Sequence, residues 1–92
     1  MVDSNNASGN NSNAFGYNNN ASGNNTSVFG ATNTVTSTNS SAFGFNNNVS
    51  GTGADAFGHA DTASGTKATA VGTNDVASGA QSSAIGFQNN AS

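Results

Sequence analysis

The sequence contains no cysteine, no proline and no tryptophan, and Lys67 is its only basic side chain. Without cysteine the chain has no disulfides to support a small fold, and zinc and thiol chemistry lose their usual ligands. A chain with one basic side chain cannot neutralise a series of phosphate groups, so we expect it to bind neither nucleic acid nor an anionic membrane surface. No apolar run approaches the roughly 20 residues that a membrane-spanning helix needs.

Asn, Ser and Thr make up 42 of the 92 residues, a composition that is typical of disordered segments. A 14-residue repeat that holds its phase from Ala7 to Ser92 argues against disorder and decides the architecture. One glycine recurs at a fixed position of the repeat: Gly16, Gly30, Gly44, Gly58, Gly72 and Gly86. A large apolar residue precedes each of them: Phe15, Phe29, Phe43, Phe57, Val71 and Ile85. A small apolar residue comes before that one: Ala14, Val28, Ala42, Ala56, Ala70 and Ala84.

The repeat unit is divided into two halves, since Ala-Ser-Gly at its start is echoed by Ala-Phe-Gly seven residues later. Seven residues accommodate a short strand and a turn, and Gly and Asn tolerate the positive φ of tight corners. We therefore predict an all-β roll of stacked 14-residue rungs with two short strands each, and we assign the six phased glycines to its turns. Recurrent Gly and poor helix formers argue against helix, and collagen would need glycine at every third residue.

Neighbouring residues of a strand point to opposite faces, so the small and the large apolar columns cannot both face the interior. We place the small column in the roll interior, because a 14-residue loop encloses little space. The large column then forms an outer apolar ridge about 25–30 Å long, at about 4.8 Å per rung. Monomers seldom expose such a ridge, so we expect it to be an interface between chains, and the isolated monomer to be unstable. The opposite assignment, with Phe inward and Ala outward, remains open.

The pattern resembles the YadA-like head domains of trimeric autotransporter adhesins, most closely over residues 68–79 and 82–86. The resemblance implies a left-handed parallel β-roll, a homotrimer with the large apolar column at the trimer interface, and a host matrix protein or receptor as partner. It also implies display on the outer membrane of a Gram-negative bacterium. The repeat still runs at Ser92, so we expect residues 1–92 to be one head-domain fragment whose anchor lies elsewhere. Ser37 replaces a glycine and Thr32 an asparagine, and we expect locally different turns there.

Asp55, His59, Asp61 and Asp75 form the only constellation that suggests chemistry. Two carboxylates and an imidazole could hold a divalent cation. However, His59 has no counterpart in other rungs and Asp61 has one only in Asp75, so scattered turn and surface residues are the simpler interpretation. One histidine and no glutamate give no basis for catalysis, so we expect no enzyme, no metal and no cofactor.

Three functions fit a polar, repetitive rod. The first is an adhesin head that attaches through many weak contacts. The second is a structural spacer that carries another binding domain. The third is an ice-binding solenoid, suggested by stretches such as Thr36-Ser37-Thr38, although Ser rather than Thr dominates that column.

Overall fold

The computed structural model describes residues 3–92, which form a parallel β-solenoid of about six 14-residue rungs. Each rung contributes one five-residue and one two-residue strand. The longer strands are β2 (Asn13–Tyr17), β4 (Ser27–Ala31), β6 (Ser41–Phe45), β8 (Asp55–His59), β10 (Thr69–Thr73) and β12 (Ser83–Phe87). The shorter strands are β1 (Asn6–Ala7), β3 (Asn20–Ala21), β5 (Thr34–Val35), β7 (Asn48–Val49), β9 (Thr62–Ala63), β11 (Val76–Ala77) and β13 (Asn90–Ala91).

Strands of one kind stack into one sheet, so the roll has a six-stranded and a seven-stranded sheet. Every pair is parallel and in register at a shift of one repeat, as in Phe29 opposite Phe43 and Val35 opposite Val49. Parallel neighbours need a crossover connection. Here the other half of each rung provides it, and this is why a strict 14-residue period specifies the fold.

The core between the two sheets consists of small side chains. The inward column of the six-stranded sheet comprises the residues that alternation assigns to the interior: Val28, Ala42, Ala56, Ala70 and Ala84 are at most 2% exposed, and Ala14 packs against them half-buried. The seven-stranded sheet contributes Ala21, Val35, Val49, Ala63 and Ala77 from the opposite side. The Cα positions extend only 10 Å along the shortest axis, against 32 Å along the longest. A core this thin has no room for aromatic rings.

The phased glycines do not form the corners of the roll, contrary to the sequence-based assignment. Gly16, Gly30, Gly44, Gly58, Gly72 and Gly86 all lie within the longer strands, one residue before the strand ends. Each rung turns instead at two residues of left-handed conformation, such as Asn18 (φ 57°) and Asn25 (φ 59°). The corner of the second rung keeps this conformation at Thr32 (φ 58°), so the expected local difference is absent there.

Close packing of successive rungs explains the phased glycines better than turn formation does. Gly44 has φ 126°, and a Cβ atom built on it would lie 2.0 Å from the carbonyl oxygen of Gly58 in the next rung. No side chain can occupy that position unless the backbone moves. Ser37 replaces glycine in a different column, where its hydroxyl donates a hydrogen bond to the carbonyl of Gly51 at 2.7 Å.

Candidate functional surface

The outer side of the six-stranded sheet carries the large apolar column, and we call this surface the aromatic face. Its first four rings form a continuous stack with centroids 5.0, 5.0 and 4.9 Å apart and planes within 7° of parallel. The spacing follows from the separation of neighbouring strands. Phe15 is 49% exposed, Phe29 36%, Phe57 39% and Ile85 65%, whereas Phe43 and Val71 are half-buried. The rings thus cover one another but leave their outer edges in solvent.

A second column runs beside the first on the aromatic face, two residues further along each strand. It contains Tyr17, Ala31, Phe45, His59, Thr73 and Phe87. Tyr17 is 56% exposed, Phe45 49% and Phe87 65%. The imidazole of His59 lies 5.3 Å from the ring of Phe45, tilted by 55°. The two columns together give this face an apolar surface that spans the length of the rod.

The outer side of the seven-stranded sheet is hydrophilic, and we call it the polar face. It presents an exposed hydroxyl column: Ser8, Ser22, Thr36, Ser50, Ser64, Ser78 and Ser92. An exposed amide ladder runs along one adjoining corner, where Asn11 donates to Asn25 at 3.2 Å and Asn25 to Asn39 at 3.1 Å. The polar face is therefore a regular array of small hydrogen-bonding groups with almost no charge.

A second amide ladder runs along the other corner of the rungs; it is buried over most of its length, but half-buried at Asn5 and exposed at Asn89. We call it the amide column, and its members are Asn5, Asn19, Asn33, Asn47, Asp61, Asp75 and Asn89. Asn33 shows the pattern: its Oδ1 accepts from the backbone N–H of Asn47 at 2.9 Å. Its Nδ2 donates to the carbonyls of Phe29 at 3.1 Å and Gly44 at 2.9 Å. One buried side chain thus satisfies three backbone groups, which would otherwise be costly to bury.

The four candidate metal ligands do not form one surface cluster, and the interpretation of all four as surface residues is wrong for two of them. Asp61 and Asp75 are completely buried members of the amide column. Asp55 is half-buried and His59 exposed, both on β8. Residues 3–92 contain no group of three or more such side chains arranged to hold a metal ion. The Asn-rich corner was visible in the sequence, but its burial was not, because burial depends on the path of the corner.

In the described part of the chain, a ligand would bind to a surface and not in a cavity. No pocket is present among residues 3–92, and none of these residues belongs to a helix that could cross a membrane. Any contact with a partner made by this region therefore uses the aromatic face, the polar face, the corners or the ends of the rod.

Comparison with known protein families identifies one match. The sequence model of the YadA head domain repeat matches residues 7–33, 36–60 and 77–92, which together cover more than half of the chain. No curated protein and no solved structure matches significantly.

Proposed function

This chain belongs to the YadA head domain repeat family, and we propose that it attaches bacteria to host matrix proteins or cell-surface receptors. The family consists of non-enzymatic heads of trimeric autotransporter adhesins on the bacterial cell surface. Attachment by multivalent contacts is the finer step that we add. The observation that carries it is the pairing of a long apolar face with a long, regular polar face on one rod.

We assign the aromatic face to the trimer interface. Its exposed rings range from 36% exposure at Phe29 to 65% at Phe87 in the single chain, and they form a patch along the whole rod. Soluble proteins seldom leave apolar patches of this length uncovered. Three chains that pack these faces together remove the rings from water, and the family is trimeric. The interface residues are then Phe15, Phe29, Phe43, Phe57, Val71 and Ile85.

The polar face then remains outside the trimer, and we propose it as the surface that contacts the host. Its hydroxyl column repeats in every rung, so a ligand with its own repeats meets many equivalent sites. Three such faces on one head, and many heads on one cell, convert weak contacts into durable attachment. Low net charge, −3 for the chain, makes hydrogen bonding rather than ion pairing the main contribution.

Binding of the purified trimer to immobilised matrix proteins and receptor ectodomains tests this function. We expect saturable binding to at least one component. Ser50→Lys with Ser64→Lys places two bulky charges on the polar face and should weaken binding. The matched control is Thr52→Lys with Thr66→Lys, which adds the same charges to the same two rungs at exposed corner positions. Equal binding by both variants would show that the hydroxyl column is not the contact surface.

A structural spacer is the second candidate, and one observation favours it. The described residues form no pocket, and the same residue types recur in nearly every rung, so no single place is marked as a site. Absence of saturable binding to every component, with the trimer folded, would favour the spacer over the adhesin.

A further inference from the structure

Two aspartates interrupt the buried amide column. Asp61 and Asp75 lie in adjacent rungs and are both 0% exposed. Each uses Oδ1 as the asparagines do: Asp61 accepts from the N–H of Asp75 at 2.9 Å, and Asp75 from the N–H of Asn89 at 2.7 Å. In each of these two rungs, one carboxylate oxygen therefore accepts the same backbone hydrogen bond that the amide oxygen of asparagine accepts in the other rungs.

The other oxygen, Oδ2, takes the place of the amide nitrogen. In the preceding rung, Nδ2 of Asn47 donates to the carbonyls of Phe43 at 3.1 Å and Gly58 at 3.2 Å. The repeat puts the carbonyls of Phe57 and Gly72 in the corresponding places around Asp61. Oδ2 of Asp61 and Oδ2 of Asp75 are buried and have no hydrogen-bond partner. An ionised carboxylate there would face acceptors where every asparagine presents a donor.

No basic side chain compensates for this arrangement. Along the amide column, Asp61 lies between Asn47, which is uncharged, and Asp75, which is acidic. His59 is the only other titratable group near it, two residues earlier on the same rung and exposed. The strand beside Asp61 is packed tightly, since a Cβ atom on Gly58 would lie 2.8 Å from Oδ2. Main-chain groups of the same and the next rung, among them the backbone of Gly72, are thus what surrounds the Asp61 carboxyl.

We propose that Asp61 stays protonated in the folded roll at neutral pH, with Oδ2–H donating to the carbonyl of Phe57 or Gly72. The proton restores the donor that asparagine supplies in the other rungs. It also avoids two carboxylates one strand spacing apart in the interior. Asp61 therefore acts as a proton-dependent link between the fourth and fifth rungs.

The direction of the pKa shift at Asp61 is the one that this assignment requires. Burial raises the pKa of Asp61 above its ordinary 3.8, and the neighbouring carboxylate of Asp75 raises it further. The hydrogen bond from the N–H of Asp75, the nearby backbone of Gly72 and the charge of His59 oppose that rise in pKa. A carboxyl group whose pKa is higher in the folded state stabilises the fold fully below its unfolded pKa. That contribution is lost as the pH rises through the folded pKa, by up to tenfold in the folding equilibrium constant per pH unit.

Thermal unfolding followed by circular dichroism, between about pH 4 and pH 8 at constant ionic strength and protein concentration, tests the proposal. We expect the Tm of the unsubstituted chain to fall as the pH rises over this range. Asp61→Asn should raise the Tm at neutral pH and flatten the profile, because the amide supplies the donor at every pH. Asp55→Asn is the matched control, because it removes a half-buried carboxylate from the same rung. Equal flattening of the profile by this variant would show that the slope does not arise from Asp61.

Three results would overturn the proposal. The first is a lower Tm for Asp61→Asn than for the unsubstituted chain at neutral pH, which would mean that the ionised form is the stabilising one. The second is a rise in Tm on adding Ca²⁺ that Asp61→Asn abolishes, which would replace the proton by a cation. Infrared spectra of chain labelled with ¹³C at the Asp carboxyls give a direct readout: a protonated-acid carbonyl band at neutral pH that Asp61→Asn removes. Absence of this band, the third such result, would refute the proposal independently of the proposed function in attachment.

Discussion

Replacing two stacked rings of the aromatic face by carboxylates is the sharpest perturbation of the proposed trimer. Phe29 and Phe43 occupy the middle of the stack, with centroids 5.0 Å apart and planes 7° from parallel. Each also stacks on one further ring, Phe15 and Phe57 respectively. Phe29→Asp with Phe43→Asp therefore removes all three ring pairs of the column. It also divides the apolar surface in two and adds charge where we place the threefold contact.

The expected loss follows from the exposure of the rings. Burying a whole Phe side chain contributes about 1.5–3 kcal/mol. Phe29 is 36% exposed in the single chain, so about 0.5–1 kcal/mol per ring is left for assembly. Two rings in three chains give roughly 3–6 kcal/mol, or about two to four powers of ten in the dissociation constant. Desolvating the six introduced carboxylates would add several kcal/mol per ion.

The single chain would be weakened as well. Each lost ring pair contributes about 0.5–1.5 kcal/mol beyond its buried area, so the three pairs together amount to roughly 1.5–4.5 kcal/mol. A core made of alanine and valine has little reserve to absorb such a loss. We therefore expect the double variant to be both dissociated and unfolded at concentrations where we expect the unsubstituted chain to be a folded trimer.

Light scattering coupled to size exclusion gives the mass, and circular dichroism gives the strand content on the same samples. The matched control is Thr34→Asp with Asn48→Asp, which adds the same charge to the same two rungs on the polar face. This control should remain folded and trimeric. A double Phe variant that stays trimeric would refute the assignment of the interface. One that becomes a folded monomer would refute the dependence of the fold on assembly.

Two further substitutions test the packing between rungs. Gly44→Ala places Cβ 2.0 Å from a backbone oxygen at φ 126°, and we expect it to lower the free energy of unfolding by about 3 kcal/mol or more per chain. Gly53 also has positive φ, but its Cβ would lie 3.6 Å from the nearest atom, so Gly53→Ala should lower that free energy by about 1 kcal/mol. Equal losses of Tm for the two would contradict the packing explanation. Asn33→Ala leaves three buried backbone groups without a partner and should lower the free energy of unfolding by about 2–4 kcal/mol in urea titrations. The exposed Asn48→Ala should change it little, and similar losses at both positions would argue against the amide column.

The fold was predictable because every repeat shows the same sequence pattern, so each rung supports the same assignment. A fixed period specifies parallel pairing between rungs, and alternation within the longer strand separates the Ala14 column from the Phe15 column. The structure agrees on both, with Val28 fully buried and Phe29 edge-exposed one residue later. Neither inference needs a detailed path for the chain between strands.

Features that depend on that path were not predictable from the residues alone. Gly44 suggested a turn because glycine is common in turns. Glycine is required at this position for another reason: a side chain would collide with the carbonyl of Gly58, which lies one rung away and 14 residues later in the sequence. Asp61 looked like a surface residue because charged side chains are expected on the exterior of a polar solenoid. Its burial arises from a corner that folds the side chain back under the next strand, where the backbone needs hydrogen-bonding partners.

The length of the rung connects the core to the need for partner chains. Fourteen residues close around a space only one small side chain deep on each side, so the interior accepts Ala and Val and excludes Phe. Methyl-sized groups contribute little burial per residue, and the roll cannot gain more from its own interior without a longer rung. The large apolar residues must then lie on the outside, where a single chain leaves them partly in water. We therefore propose that assembly buries the apolar surface that one rung is too short to enclose, and that each added rung adds the same amount of interface.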